Sequence, residues 1–374
     1  MTVILIPIFI ILFIQIQKIL FSKFALKNLN IERRFNTDKT VCGNEVSYTI
    51  EITNNKLLPI PWITITEEIP RVFKYSVDSF IDVEEWKQIH TTTTSLMWFQ
   101  KIKRHFKLKC TKRGYYEITN AKVKTGDIFG FDTIETEIKA PASILVLPRI
   151  HPINHFEITS KRPQGETIVK RFIIEDVMEF KGIRPYQPGD PLNRIHWPST
   201  AKTLGLQVKQ FDYTSDKKIL IFLDVRTKEF IWEGVDTELL EESISFAASL
   251  TKLIIDRGIP VGVYSNGAVM GSKSYLKIPP SGNPKQVNLL LEGLAKLSDF
   301  TIVEMEELIM ENLPLVSWDS HIVIITSLPS IPYIDKIRKL CKSEISIYSF
   351  NKDILKMENE NIRVNYVKEG KRYE

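Results

Sequence analysis

The chain is poor in cysteine: Cys42, Cys110 and Cys341 are the three thiols in 374 residues. They are odd in number, far apart, and outside the short C-x-x-C spacings that ligate zinc or carry redox chemistry, which argues against a disulfide framework. Also absent are G-x-x-x-x-G-K-[ST], a G-x-G-x-x-G after a strand, H-E-x-x-H and G-x-S-x-G. A self-contained nucleotidase, dehydrogenase, zinc protease or lipase therefore lacks its supporting motif. Excess charge of one sign is scarce as well. With 50 Lys+Arg against 45 Asp+Glu, the formal net charge is +5, too little over this length to indicate a nucleic-acid surface. There is no internal repeat and no low-complexity tract.

What is present is a globular composition, 43% apolar and 25% charged, with length enough for two domains that each bury a core. Residues 3–14 are wholly apolar, and with Ile16, Ile19, Leu20 and Phe21 the stretch reaches the roughly 20 residues that a helix needs to cross a bilayer. Nothing basic precedes it and bulky residues come after it, so an uncleaved anchor is expected rather than a signal peptide. Lys18, Lys23, Lys27, Arg33 and Arg34 against Glu32 give residues 1–34 a net charge of +4 and leave the rest at +1. The positive-inside rule then places the downstream chain in the cytoplasm. The expectation is a single-pass protein of the cell membrane, touching the lipid bilayer through residues 2–21 of an anchor spanning 1–27.

Residues 28–148 read as an all-β unit. Val46, Tyr48, Ile50 and Ile52 alternate with polar neighbours, residues 62–66 are β-branched and aromatic, and turn residues punctuate the runs, the pattern of an immunoglobulin-like sandwich. Across 149–216 periodicity fades into a connector rich in Gly, Pro, Arg and Trp. From 217 to 374 apolar strands at 218–223, 260–264, 321–326 and 345–350 alternate with helical patterns at 238–257, 285–297, 303–311 and 334–342. This predicts a parallel sheet covered on both faces. In the first of these helices Leu239, Leu240, Phe246, Ala247, Leu250, Leu253 and Ile254 form the core stripe, Glu238, Glu241, Glu242, Ser245, Ser249 and Lys252 lie opposite, and Gly258 ends it.

The densest constellation of chemistry-bearing residues is at 179–201: Glu179, Arg184, Tyr186, Gly189, Asp190, Arg194, Ile195, Trp197 and Ala201, with Leu206, Val208, Lys209 and Phe211 after it. Asp190 is placed to pair with Arg184 or Arg194, Gly189 permits a tight turn, and Tyr186 and Trp197 supply large apolar bodies with polar handles. A carboxylate between guanidiniums is a poor general base. His196 lies three residues from Ser199, but sequence proximity is no triad and no third member is identifiable.

This pattern resembles the signature of the bacterial and archaeal family called domain of unknown function 58. Arg113-Gly114-Tyr115 and Asp127 to Phe131, upstream, are similar to further stretches of that family. The resemblance implies a membrane segment, a β-rich region and a von Willebrand factor type A-like α/β domain. It also implies an accessory role beside AAA ATPases of the MoxR type in protein assembly or maturation. Type A domains carry a metal-binding Asp-x-Ser-x-Ser after their first strand. Here the corresponding residues are Asp224, Arg226, Thr227 and Lys228, with two cations where oxygen ligands belong. No metal, no other cofactor and no catalytic residue is assigned. The leading expectation is a non-enzymatic protein-interaction module of open oligomeric state. The alternative is a membrane-associated enzyme using Asp190, His196 and Asp224.

Overall fold

The computed structural model describes residues 15–369 except 17, 20, 22, 76–80, 84–86, 128–131, 154–155, 160–177, 188–189, 191–194, 204, 214–217, 317–319, 341–342 and 358–362. The chain divides into two compact units, Met1–Arg149 and Ile150–Glu374.

The first unit is built from strands β1 (Leu29–Phe35), β2 (Lys39–Val41), β3 (Glu45–Asn54), β4 (Ile60–Pro70), β5 (Phe73–Tyr75), β6 (Ile81–Val83), β7 (Lys87–Leu96), β8 (Lys101–Cys110), β9 (Gly114–Gly126) and β10 (Thr133–Leu147). One sheet runs β1-β3-β8-β5 and the other β2-β10-β9-β4-β7-β6. Period-two alternation sends Val46, Tyr48, Ile50 and Ile52 of β3 and Ile63, Ile65 and Ile69 of β4 into one shared core with Leu108, Val123, Ile144 and Val146. Burying each such side chain is worth roughly 1.5–3 kcal/mol.

Two inward positions hold charges. Arg33 on β1 lies between Ile31 and Phe35, and Glu67 on β4 lies between Ile65 and Ile69, with both side chains fully buried. Arg33 Nη1 donates to Glu67 Oε1 at 3.0 Å, and the remaining guanidinium bonds go to the carbonyls of Ala140, Asn120, Ile118 and Thr119. Tyr48 Oη donates to the same carboxylate oxygen at 2.7 Å. The guanidinium thus supplies donors where β4 stops pairing with β9 at Glu67↔Ala121 and where β10 bulges between Lys139 and Ala142.

The second unit contains β11 (Phe156–Thr159), β12 (Met178–Pro185), α1 (Trp197–Thr200), β13 (Gln207–Tyr213), β14 (Ile219–Leu223), α2 (Thr237–Asp256), β15 (Val261–Val269), β16 (Tyr275–Ser281), α3 (Gln286–Ala295), β17 (Leu297–Thr301), α4 (Met305–Asn312), β18 (His321–Thr326), α5 (Ile334–Leu340), β19 (Glu344–Ser349) and β20 (Arg363–Glu369). The main sheet runs β11-β20-β19-β18-β14-β15-β16, with β17 added to β15, while β12 and β13 form a separate two-stranded sheet. Strands β15, β14, β18, β19 and β20 are mutually parallel. On one face Leu220, Phe222, Ile322, Ile324 and Ile347 pack with α4 and α5. Phe246 of α2 meets Tyr348 of β19 at 5.3 Å between ring centroids. Helix α2 starts where Asp236 Oδ1 accepts the N–H groups of Glu238 and Leu239. It stops before Gly258, whose φ of +78° only glycine adopts without strain. Ser249, assigned by periodicity to the solvent side, is buried and accepts the His151 N–H at 2.9 Å.

The expected fold class is corrected on three points. Among the described residues no helix is long and apolar enough to cross a membrane. Residues 3–14 themselves lie outside the described residues. The next stretch of chain belongs to the sandwich: Phe21 and Ala25 are buried, Leu26 packs on the core, and Lys56 Nζ donates to the carbonyls of Ala25 and Lys27. Of the cations counted behind the apolar run, Arg33 is a core residue and Arg34, mostly exposed, lies beside Glu32 and Glu51. The transmembrane anchor over 1–27 and the single-pass, cytoplasmic placement derived from it are therefore withdrawn. In the second unit the expected parallel sheet is a mixed one, because β11, β16 and β17 run antiparallel to their neighbours. With strands dominating the chain, the von Willebrand factor type A-like designation is not retained either.

Candidate functional site

The signature residues sit on and beside the β12–β13 hairpin, which pairs Arg184 with Val208 and Ile183 with Lys209. Arg184 makes a bidentate pair with Asp190, Nη1 to Oδ2 and Nη2 to Oδ1, both at 2.7 Å. Asp190 also accepts the Gln187 N–H at 2.8 Å and donates its own to the Gln187 carbonyl, closing the turn at the end of β12. The carboxylate raises the Arg184 pKa above its ordinary value. Ile195 is buried and bridges to Val208. Tyr186 donates its backbone N–H to the Leu206 carbonyl. Gly189 and Arg194 lie outside the described residues, as does most of the 127–131 stretch and Cys341, and the side chain of Glu179 is likewise outside them.

His196 and Ser199 form a local cap. His196 Nδ1 accepts the Ser199 N–H at 3.2 Å and stands 2.7 Å from Ser199 Oγ at the start of α1. Accepting from an amide leaves Nδ1 unprotonated, so the hydroxyl donates to it as well. That contact has the length of a nucleophile–base pair, but it is the i, i+3 geometry of a helix start. Trp197, read from sequence as a large apolar body, is 65% exposed.

The loop after β14 is organised by Asp224, which is buried at the carboxyl ends of the parallel strands. Its Oδ1 accepts from Asn266 Nδ2 at 2.7 Å and from the Arg226 N–H at 3.0 Å, and lies 3.6 Å from Arg226 Nε. Asn266 also accepts the Val225 N–H at 3.0 Å. Residue 267 is a glycine because a Cβ there would stand 2.7 Å from Val225 Cγ1. Arg226 bridges outward to Glu304 at 2.8 Å. Thr227 Oγ1 accepts the Asp236 N–H at 2.6 Å, and Lys228 Nζ donates to the Glu233 carbonyl. Burial pushes the Asp224 pKa up, against the lowering effects of Arg226 and Asn266. Its Oδ2 has no hydrogen-bond partner, nor has the buried Tyr333 hydroxyl. Arg226 thus supplies the positive charge beside Asp224 that an ion would otherwise bring. Among the described residues no cluster of three His, Cys, Asp or Glu side chains has a metal-holding arrangement. Asn266, Glu304 and Tyr333 escaped sequence reasoning. The Ser265-Asn266-Gly267 run at the end of an apolar strand was the available signal.

Asp190 and His196 are engaged by partners of their own segments, the hairpin turn and the α1 cap, and Asp224 by Arg226 of the strand-end loop and Asn266 of β15. A groove of about 380 Å³ lies elsewhere, on the first unit, lined by Thr66, Glu68, Glu117, Asn120, Lys122 and Glu137 among others. None of the sequence-assigned site residues lines it.

The second unit is a mixed sheet with helices that carries the signature on a separate two-stranded hairpin. The sequence model of the family described as Protein of unknown function DUF58 matches residues 182–304, which bears out the resemblance carried by the signature. A distant relative is the Uncharacterized protein YeaD of Bacillus subtilis (strain 168), 18% identical over 251 residues, covering 66% of this chain and 58% of the relative. The match therefore spans somewhat more than half of that curated protein's length. Among solved structures, a non-cellulosomal cohesin from Archaeoglobus fulgidus aligns with 32% of this chain and 91% of its own at 12% identity and a TM-score of 0.22. The CARDB domain of the PF1109 protein from Pyrococcus furiosus aligns with 32% of this chain and 88% of its own at 16% identity and a TM-score of 0.21. Scores this low carry no argument about fold or function.

Proposed function

We propose that the protein is a non-enzymatic interaction module, and that its partner is an AAA ATPase of the MoxR type, which it assists in protein assembly or maturation. The observation that carries the first part is a contrast within the second unit. The polar groups that catalysis would need are tied to other side chains, whereas the signature leaves Trp197 in solvent and the strand-end loop leaves Trp232 81% exposed. Exposed tryptophans are frequent anchors of protein interfaces. The ATPase comes from the family resemblance alone. The test is affinity capture of the full chain with a MoxR-type ATPase from the same cells, held in turn in ATP-like, ADP and nucleotide-free states. Recovery in at least one state, lost on Trp197→Ala or Trp232→Ala, is the expected result. No recovery in any state removes the ATPase from the proposal.

A further inference from the structure

Two surfaces of the second unit expose large apolar side chains and carry opposite charge. The first is the signature hairpin with α1. Trp197 is 65% exposed, and Ile183 and Leu206 are about two-fifths exposed. The backbone bonds from Tyr186 to Leu206 and from His196 to Gln207 hold this segment together. Its described charged side chains are Arg184, Lys202 and Lys209 against the single acid Asp190, a net charge of +2. The second is the loop between β14 and α2. Phe230 and Trp232 stack there with centroids 4.6 Å apart and planes 17° from parallel, both in solvent. Residues 228–238 contain Glu229, Glu233, Asp236 and Glu238 against Lys228, a net charge of −3.

We propose that these surfaces bind each other between two copies of this chain, the basic hairpin of one copy docking on the acidic Phe230–Trp232 loop of the next. Both aromatic clusters are open to solvent within one copy, so neither is covered by the other internally. Across a contact, Lys202 or Lys209 is the cation for the face of Trp232, and Trp197 and Ile183 supply apolar area against Phe230. The two surfaces differ, so the contact is head-to-tail and leaves one free surface at each end. Such contacts either close into rings or grow into open chains. The handful of side chains involved is fewer than the roughly 20–30 residues a side that a stable interface buries. Association is therefore weak, and salt weakens it further.

This inference deepens the interaction reading by naming the occupant of the two exposed surfaces, and it does not depend on the ATPase. The experiment is sedimentation of the full chain at low ionic strength, from roughly 1 to 100 μM, a range set by the small contact. The expected result is a mass that rises above that of the monomer with concentration and falls back at about 1 M salt. Trp197→Ala and Trp232→Ala, both at exposed positions, each weaken association about tenfold or more. A Lys202→Glu/Lys209→Glu variant and a Glu229→Lys/Glu233→Lys variant are each monomeric alone, and their equimolar mixture associates again. A monomer at every concentration overturns the proposal. So does association unchanged in both Trp variants, or a mixture of the charge-reversed variants that stays monomeric. Melting curves matching the wild-type chain confirm that the variants fold. Association without ATPase capture removes the ATPase and keeps the self-contact, and capture without association does the reverse.

Discussion

Each unit buries a carboxylate, and the two do different jobs. Glu67 lies in the middle of the sandwich core, bonded by Arg33 and Tyr48, with a second oxygen 3.5 Å from the buried His90. All of its partners are internal, and the Arg33 guanidinium spends its other donors on four backbone carbonyls. Asp224 is buried at the rim of a sheet, and its cation Arg226 reaches outward to Glu304, which is more than half exposed. The first arrangement locks strands where their pairing ends. The second shapes a loop that leads to exposed aromatics. Burial alone therefore does not separate a structural charge from one that organises a surface; where the partner's other contacts go does.

The largest effect should come from breaking the internal pair. Glu67→Leu or Arg33→Met leaves the other charge buried without its partner and should cost about 3–5 kcal/mol, read by urea unfolding. The double variant should recover most of that loss, and failure to recover would mean that the carbonyl bonds of Arg33 outweigh its ion pair. Asp224→Ala should cost less, about 1–3 kcal/mol for the orphaned Asn266 amide, and should speed hydrogen exchange at Val225 and Arg226. Equal losses at Glu67 and Asp224 would erase the contrast. Asp236→Ala, which removes the cap of α2, should cost about 1 kcal/mol on the same unfolding curves.

Acid and base responses separate the two units further. The pKa of Asp224 is raised in the folded state, so its contribution is fully present below the ordinary value of 3.8 and is lost as pH rises through the raised one. Glu51 behaves oppositely. Hydrogen bonds from Lys101 and Lys103 lower it from 4.5 to about 2, so its contribution is present above 4.5 and is lost as pH falls through about 2. Asp224→Asn should remove the first slope from a stability–pH profile and Glu51→Gln the second. Smallest of all, Trp232→Ala should change stability by less than about 0.5 kcal/mol while weakening association, because its ring faces solvent.

Much of the local structure was legible. The apolar period with Gly258 placed a helix at 238–257, and α2 spans Thr237–Asp256. The run at 321–326 is β18 residue for residue. The alternation of Val46, Tyr48, Ile50 and Ile52 is the inward face of β3. Arg33 misled because a cation close behind an apolar run looks like a membrane-side charge, while its strand parity, shared with Ile31 and Phe35, points it into a core. At the candidate site the sequence left Asp190 a choice between two arginines, and the turn at Gln187 presents its carboxylate to Arg184. Nothing local announced that Asn266 would hold Asp224 from 42 residues away.

Period and punctuation are properties of neighbouring residues, so the order of amino acids was enough to set them: which stretches are strand or helix, which side of each is apolar, and where a signature crowds together. Folding chose which charges are buried and by whom they are answered. The partner of a buried charge sits on another strand, 34 residues away for Arg33 and Glu67. The desolvation cost that forces such pairs together arises only once the sheets have closed over them.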